Sequence, residues 1–170
     1  MTLLKKRILV IDDDLAVRES IKKVLNTTGY EVMTAADGQE AAERFAPGRV
    51  DLVVLDLNLP ARSGWDVFEA LTTQHPSVPI IIVTGMPNQY PTAVAAGVGA
   101  LIEKPIEVAT LLKTMEALLA EPEEARLRRL CGYPENTVYV RTRQGDGKTR
   151  ALPTRRPPRR ERTASGGSRR

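Results

Sequence analysis

The chain has 170 residues, 42% hydrophobic and 27% charged, which suits one globular domain with a real core and an appendage. Its formal net charge of +4 is unevenly spread, with net −5 over residues 1–122 and net +9 over residues 123–170, so the two stretches are different materials. One cysteine, Cys131, excludes an intramolecular disulfide and reads as a plain reduced thiol. No apolar run approaches the roughly 18 residues of a membrane span, and the one behind Lys5-Lys6-Arg7 is too short for a signal-peptide core, so the expected location is cytoplasmic.

The apolar run Ile8 to Ile11, ending in Asp12-Asp13-Asp14, predicts a first strand. Leu15, Val17, Ile21, Val24 and Leu25 follow at near-helical spacing, closed by Asn26 to Gly29, with Asp14 read as a first-turn helix acid. Tyr30 to Thr34 is a second strand candidate. Asp37 to Phe45 is a short helix capped by Asp37, and Pro47-Gly48 is a turn. Leu52 to Leu55 is continuously apolar, as a strand buried on both faces must be, and it stops on Asp56; Pro60 prevents its continuation. After Ala61-Arg62-Ser63-Gly64 a helix runs from Trp65 to about Thr73, with Trp65, Phe68 and Leu71 on one core-facing side. His75, beside Pro76, reads as an exposed polar residue.

Val78 to Val83 predicts the fourth strand, ending in Thr84-Gly85. A short helix around Thr92 to Ala96, a fifth strand from Ala100 to Glu103, the dipeptide Lys104-Pro105 and a helix from Glu107 to Leu119 complete the alternation. Such alternation means an α/β fold with a parallel sheet and right-handed crossovers. Beyond Pro122, Glu123 to Leu130 makes two helical turns stopped by Gly132, and Thr137 to Val140 is a weak strand candidate. From Arg141 the chain is Arg, Pro, Gly, Ser and Thr with almost nothing to bury, so disorder is expected. The implied division is a domain over 5–121, a short helical extension over 122–140 and an Arg/Pro-rich tail over 141–170.

Strand ends on one edge of a parallel sheet converge, so Asp12, Asp13, Asp56, Thr84 and Lys104 can face one crevice. Three carboxylates there repel unless a cation intervenes, and all-oxygen ligation suits Mg²⁺. An ammonium and a hydroxyl aimed at the same place suit a small anion such as a phosphoryl group. Asp56 is the best placed nucleophile, able to attack phosphorus and form an acyl phosphate.

These motifs, in this order, resemble the receiver domain of two-component response regulators: Ile8-Leu9-Val10-Ile11-Asp12-Asp13-Asp14, Leu55-Asp56-Leu57-Asn58-Leu59-Pro60 with Gly64, Thr84-Gly85, and Glu103-Lys104-Pro105. The resemblance covers residues 5 to about 120. It implies a flavodoxin-like, doubly wound, five-stranded parallel sheet of order 2-1-3-4-5 flanked by helices. It further implies that Asp56 is the phosphoacceptor and Asp13 a direct Mg²⁺ ligand, that Asp12 holds the ion largely through water, and that Asn58 ligates through its backbone carbonyl. Thr84 becomes the switch hydroxyl, Lys104 the phosphoryl-binding lysine and Pro105 the residue fixing the loop behind it. Two departures stand out. Leu101 occupies the place where the family usually has Tyr or Phe, and the Thr84 to Lys104 interval is short and contains Pro87 and Pro91, so the fourth helix must start late or be short.

The function so implied is a stand-alone response regulator in a phosphorelay. It takes phosphate from a phospho-histidine on a sensor histidine kinase or histidine phosphotransfer protein and signals by protein contact. It would catalyse only its own phosphorylation and dephosphorylation. Two alternatives differ in class. DNA-binding, transcriptional output through the basic tail would demand a defined sequence preference, whereas Arg155-Arg156, Arg159-Arg160 and Arg162 could by themselves give only sequence-blind nucleic-acid contact, and a solvated tail is the favoured reading of that run. A Mg²⁺-dependent phosphatase using Asp56 would need a second acid two residues on, where Asn58 stands.

Overall fold

Short runs with no polar position can only be satisfied between two layers of helices, and that is where the sheet lies. The computed structural model describes residues 5–46, 48–133 and 137–141; the tail from residue 142 onward, and with it the expectation of disorder there, lies outside the described residues. Strands β1 (Arg7–Ile11), β2 (Glu31–Ala35), β3 (Leu52–Asp56), β4 (Ile80–Thr84), β5 (Ala100–Glu103) and β6 (Val138–Val140) form one parallel sheet in the order 2-1-3-4-5-6. Among the described residues the sheet thus has six strands rather than five. The weakly signalled segment 138–140 adds itself to the outer edge of β5, with Ala100, Leu101 and Ile102 opposite Val138, Tyr139 and Val140.

The two-residue period of the strands divides the core. Leu9, Ile11, Val53, Leu55, Ile82 and Leu101 face one way, onto Ala41 of α2 (Gly38–Arg44), Phe68 and Leu71 of α3 (Gly64–Gln74), and Ala93 of α4 (Tyr90–Ala95). Ile8, Val10, Leu52, Val54, Ile81 and Ile102 face the other way, onto Leu25 of α1 (Leu15–Thr27) and Leu111, Met115 and Leu118 of α5 (Val108–Ala120). Leu101 is sealed in the first of these layers at 1% exposure.

Helix starts follow their caps. Asp14 is the N-cap of α1 and not a first-turn acid: its carboxylate accepts from the Ala16 and Val17 N–H groups at 2.8 and 3.3 Å. Ser63 and Asp66 form a capping box that opens α3 at Gly64, one residue before the apolar pattern begins. α4 is only six residues long, as the short interval required, yet it begins at Tyr90 because Pro91 is tolerated in a first helical turn. His75 is half-buried and stacks on Phe45 at 4.4 Å, which corrects its reading as exposed. Trp65 packs edge-on against Phe68, in keeping with a core role.

The last helix among the described residues, α6 (Glu123–Leu130), is tied down by Arg129. The residue is 4% exposed, and its guanidinium grips both Glu121 oxygens at 2.5 and 2.8 Å and donates to the Gly97 carbonyl at 3.3 Å. Bidentate pairing of this kind offsets the cost of taking the charge out of water. No helix among the described residues is long and apolar enough to cross a membrane.

Candidate functional site

Register brings the acids together. Ile11 on β1 lies opposite Leu55 on β3, so Asp12 and Asp56 leave the sheet side by side at its carboxyl edge. On the other side Asp56 lies opposite Val83, and Thr84 lies opposite Glu103, which delivers Lys104 to the same edge. Lys104 Nζ donates to Asp12 Oδ2 at 2.9 Å and to Asp56 Oδ2 at 2.7 Å, although the acid and amine are 92 and 48 residues apart in sequence. Asp12 and Asp56 are each 3% exposed. Their other oxygens accept backbone N–H groups, Asp12 Oδ1 from Asp14 at 2.9 Å and Asp56 Oδ1 from Asn58 at 3.0 Å. Burial by itself lowers the Lys104 pKa; hydrogen bonds to Asp56 and Asp12, with their negative charges, outweigh it and hold the ammonium above its ordinary value of 10.5.

Asp13 is exposed, and it joins the buried pair: one oxygen from each of Asp12, Asp13 and Asp56 lies within 4.8 Å of the others. Three carboxylates against one ammonium leave two negative charges uncompensated among these four groups. Each bonded oxygen still has a second lone pair. Hard oxygen donors with this charge balance fit a divalent cation such as Mg²⁺.

Thr84 is fully buried at the end of β4. Its Oγ1 accepts the Met86 N–H at 2.9 Å, so the hydroxyl is engaged by its own loop, and its carbonyl accepts the Lys104 N–H at 2.8 Å. Asn58 is exposed in the loop after β3, with its N–H on Asp56. Pro105 follows a cis peptide bond. The residues singled out in the sequence therefore gather at one edge, with Asp12, Asp56 and Lys104 in direct contact.

Two residues that support them were not foreseen in these roles. Arg18, one turn into α1, donates from Nη1 to the Asp12 carbonyl at 2.5 Å, and only its position on the helix leaving the acids could have suggested it. Gly64 lies against the end of β3: a Cβ there would stand 2.4 Å from the Asp56 carbonyl oxygen and 2.5 Å from Leu57 Cα. Glycine alone lets the start of α3 approach this closely, and the Gly64 N–H bonds the Leu57 carbonyl at 2.9 Å.

The model for the response regulator receiver domain matches residues 8–116. The chain belongs to this family. All the residues just described, from Asp12 to Lys104, lie inside the matched segment of the receiver, whereas α6 and β6 lie beyond it. Among curated relatives, response regulator MprA of Mycobacterium bovis is 35% identical over 142 residues, covering 81% of this chain and 62% of the relative. The chain thus spans about three fifths of that relative's length. Among solved structures, a CheY-like response regulator receiver domain protein from Methanospirillum hungatei superposes with a TM-score of 0.65 at 33% identity, covering 71% of this chain and 97% of that one. The response regulator TrrA from Thermotoga maritima, solved in complex with Mg²⁺ and BeF, gives a TM-score of 0.62 at 32% identity over 66% of this chain and 98% of that one. The receiver fold and membership of the response regulator receiver family follow from these likenesses, which favour neither the phosphatase nor the DNA-binding alternative.

Proposed function

We propose that this receiver is a phosphorylation switch in which Asp56 accepts a phosphoryl group from a phospho-histidine on a sensor histidine kinase or histidine phosphotransfer protein. The observation that carries the reading is the Lys104 ammonium clasping two nearly buried carboxylates at the mouth of the sheet, with a third beside them. A nearly buried pair of acids costs stability even when one ammonium bridges it, so its presence points to chemistry, and a pre-placed ammonium is what an incoming phosphoryl group needs.

An Asp56 oxygen attacks phosphorus, the P–N bond to the imidazole breaks with its electron pair leaving on nitrogen, and an acyl phosphate forms on Asp56. Lys104 then follows the negative charge from the Asp56 carboxylate to a phosphoryl oxygen. The Thr84 hydroxyl, which only accepts from Met86 at present, donates its proton in a hydrogen bond to another phosphoryl oxygen. Asp12, Asp13, Asp56 and the Asn58 backbone carbonyl would hold Mg²⁺, which supplies neutralisation of the phosphoryl charge when bound. Gly64 and Arg18 act behind the site, by fixing the backbone that carries Asp56 and Asp12. The outcome is a change of surface read by a protein partner, and the only chemistry is the receiver's own phosphorylation and the hydrolysis that resets it. Residues 5–121 form the receiver in this reading, in a protein working in the cytoplasm.

The test is intact-protein mass after incubation with acetyl phosphate, with and without Mg²⁺, on wild type and Asp56→Ala. One added phosphoryl group that needs both Mg²⁺ and Asp56 is the expected result. An adduct retained in Asp56→Ala would move the acceptor elsewhere, and no adduct in any arm would overturn the switch.

A further inference from the structure

β6 lies outside the matched receiver segment, yet its central side chain reaches the residue that opens α4 and the β5 residue just before Lys104. Tyr139 lies opposite the sealed Leu101 on β5. Its ring stacks on Tyr90 with centroids 4.5 Å apart and planes at 28°, and its hydroxyl donates to the Glu103 carboxylate. Arg141, the next residue after the strand, pairs with the same carboxylate at 3.3 Å.

These two contacts lead straight back to the chemistry. Tyr90 opens α4 at the far end of the loop that begins at Thr84, and that loop is held by the Trp65 indole N–H donating to Gln89 Oε1 at 3.0 Å. Glu103 is the residue before Lys104 and lies opposite Thr84 in the sheet. A single side chain thus rests on the Thr84 arm through its ring and on the Lys104 arm through its hydroxyl. The strand that carries it is weakly built. It has three residues, Val138 is 38% exposed, and the Thr137 hydroxyl is buried with no hydrogen-bond partner among the described residues. Elements with few buried contacts and unsatisfied polar groups open first.

We propose that β6 is a latch on the β5 edge, closed by Tyr139 and opened when a phosphoryl group on Asp56 draws in the Thr84 hydroxyl and the Lys104 ammonium. The inference rests on the phosphoacceptor reading above. When Thr84 turns to the phosphoryl group, the Met86 N–H loses its acceptor, and the loop that positions Tyr90 loses an internal tie. When Lys104 shifts, the adjoining Glu103 carboxylate shifts with it. Both moves act on the two contacts that seat Tyr139, and neither Leu101 nor any other group in the sealed layer has to rotate.

The latch is tested by hydrogen exchange with mass detection on the full chain, read at the peptide spanning 137–141, with acetyl phosphate and Mg²⁺ present or absent. Intact mass on the same samples gives the phosphorylated fraction. The Val138 amide, which donates to the Gly99 carbonyl at 3.0 Å, should exchange about tenfold faster in the phosphorylated protein, the size of a typical coupling between sites. Tyr139→Leu should exchange fast in both states. By reciprocity it should also bind beryllofluoride with Mg²⁺ more tightly, by the factor that phosphorylation loosens β6, a gain that a packing role would not produce. Tyr139→Phe, which keeps the ring and loses the hydroxyl, should fall between and serves if the leucine variant folds poorly. Phosphorylated protein with unchanged or slower exchange, or unaltered beryllofluoride affinity in the variants, overturns the latch and leaves the phosphoacceptor intact. Absence of any phosphoryl adduct overturns both.

Discussion

β3 and β6 belong to one sheet and differ in almost everything that fixes a strand. β3 has five residues, all buried, paired on both sides and covered by helices on both faces. β6 has three residues, paired on one side only among the described residues, with Val138 exposed and Tyr139 and Val140 half-buried. The first arrangement holds Asp56 beside Asp12 through strand pairing and packing on both faces, neither of which turns on the state of the side chains at the edge. The second depends on a stacked ring and a carboxylate, so its hold can change with the state of its neighbours. A switch needs both kinds of strand, since a site that moved freely would not bind and a surface that never moved would not signal.

The contrast breaks if the two strands respond alike to truncation. Leu55→Ala removes a fully buried side chain from β3 and should cost about 2–5 kcal/mol in urea denaturation, because the close-packed layer cannot collapse around the void. Val138→Ala, at 38% exposure on β6, should cost less than about 0.5 kcal/mol by the same measurement. Comparable losses at the two positions would mean that β6 is as firmly built as the centre of the sheet.

A smaller effect sharpens the comparison at the site itself. Gly64→Ala places a Cβ 2.4 Å from the Asp56 carbonyl oxygen, against backbone that β3 holds rigidly, and should cost about 1–3 kcal/mol and slow phosphoryl uptake from acetyl phosphate. Gly85, next to Thr84, has open space where a Cβ would go, so Gly85→Ala should be neutral or stabilise by up to about 1 kcal/mol through the unfolded chain. If the two alanines cost the same, close approach is not what fixes Gly64.

The central strands were legible because a strand covered on both faces has no polar positions, and the acid that ends the run marks the sheet edge. Hence the pattern of run-ending polar residues groups Asp12, Asp56 and Lys104 across more than 90 residues of chain. Asp14 was harder, since whether an acid caps a helix or enters its first turn is a shift of one position that hydrophobic spacing does not register. The bond from Arg18 to the Asp12 carbonyl left no trace in residue type, because a backbone acceptor looks the same everywhere. His75 on Phe45 and Tyr139 on Tyr90 are stacks between segments far apart in the chain, and aromatic pairing carries no spacing rule. The sixth strand was only a weak candidate in the sequence because three residues of alternating Val and Tyr become a strand only where β5 offers them an edge.

The smallest effect concerns the Tyr139 hydroxyl. Burial first, then the hydrogen bond to Glu103 and that carboxylate's charge, push its pKa from 10.0 up to about 12, with Arg141 pulling the other way. A tyrosine raised on folding contributes stability that is complete below pH 10 and is lost as the pH climbs from 10 through 12. Tyr30 is also raised, by burial and by the charge of Glu116, and Lys104 lies above 10.5, so the alkaline limb in wild type mixes several groups. The difference between wild type and Tyr139→Phe isolates one of them. Ultraviolet titration of phenolate should show one late-ionising tyrosine fewer in the variant, and its stability should fall less steeply between pH 10 and 12 while matching wild type in slope near neutrality. Identical alkaline limbs would mean that Glu103 does not hold this hydroxyl in solution, which would leave the stack on Tyr90 to carry the coupling to Tyr139, while the pairing with β5 and the Arg141–Glu103 ion pair still hold the strand.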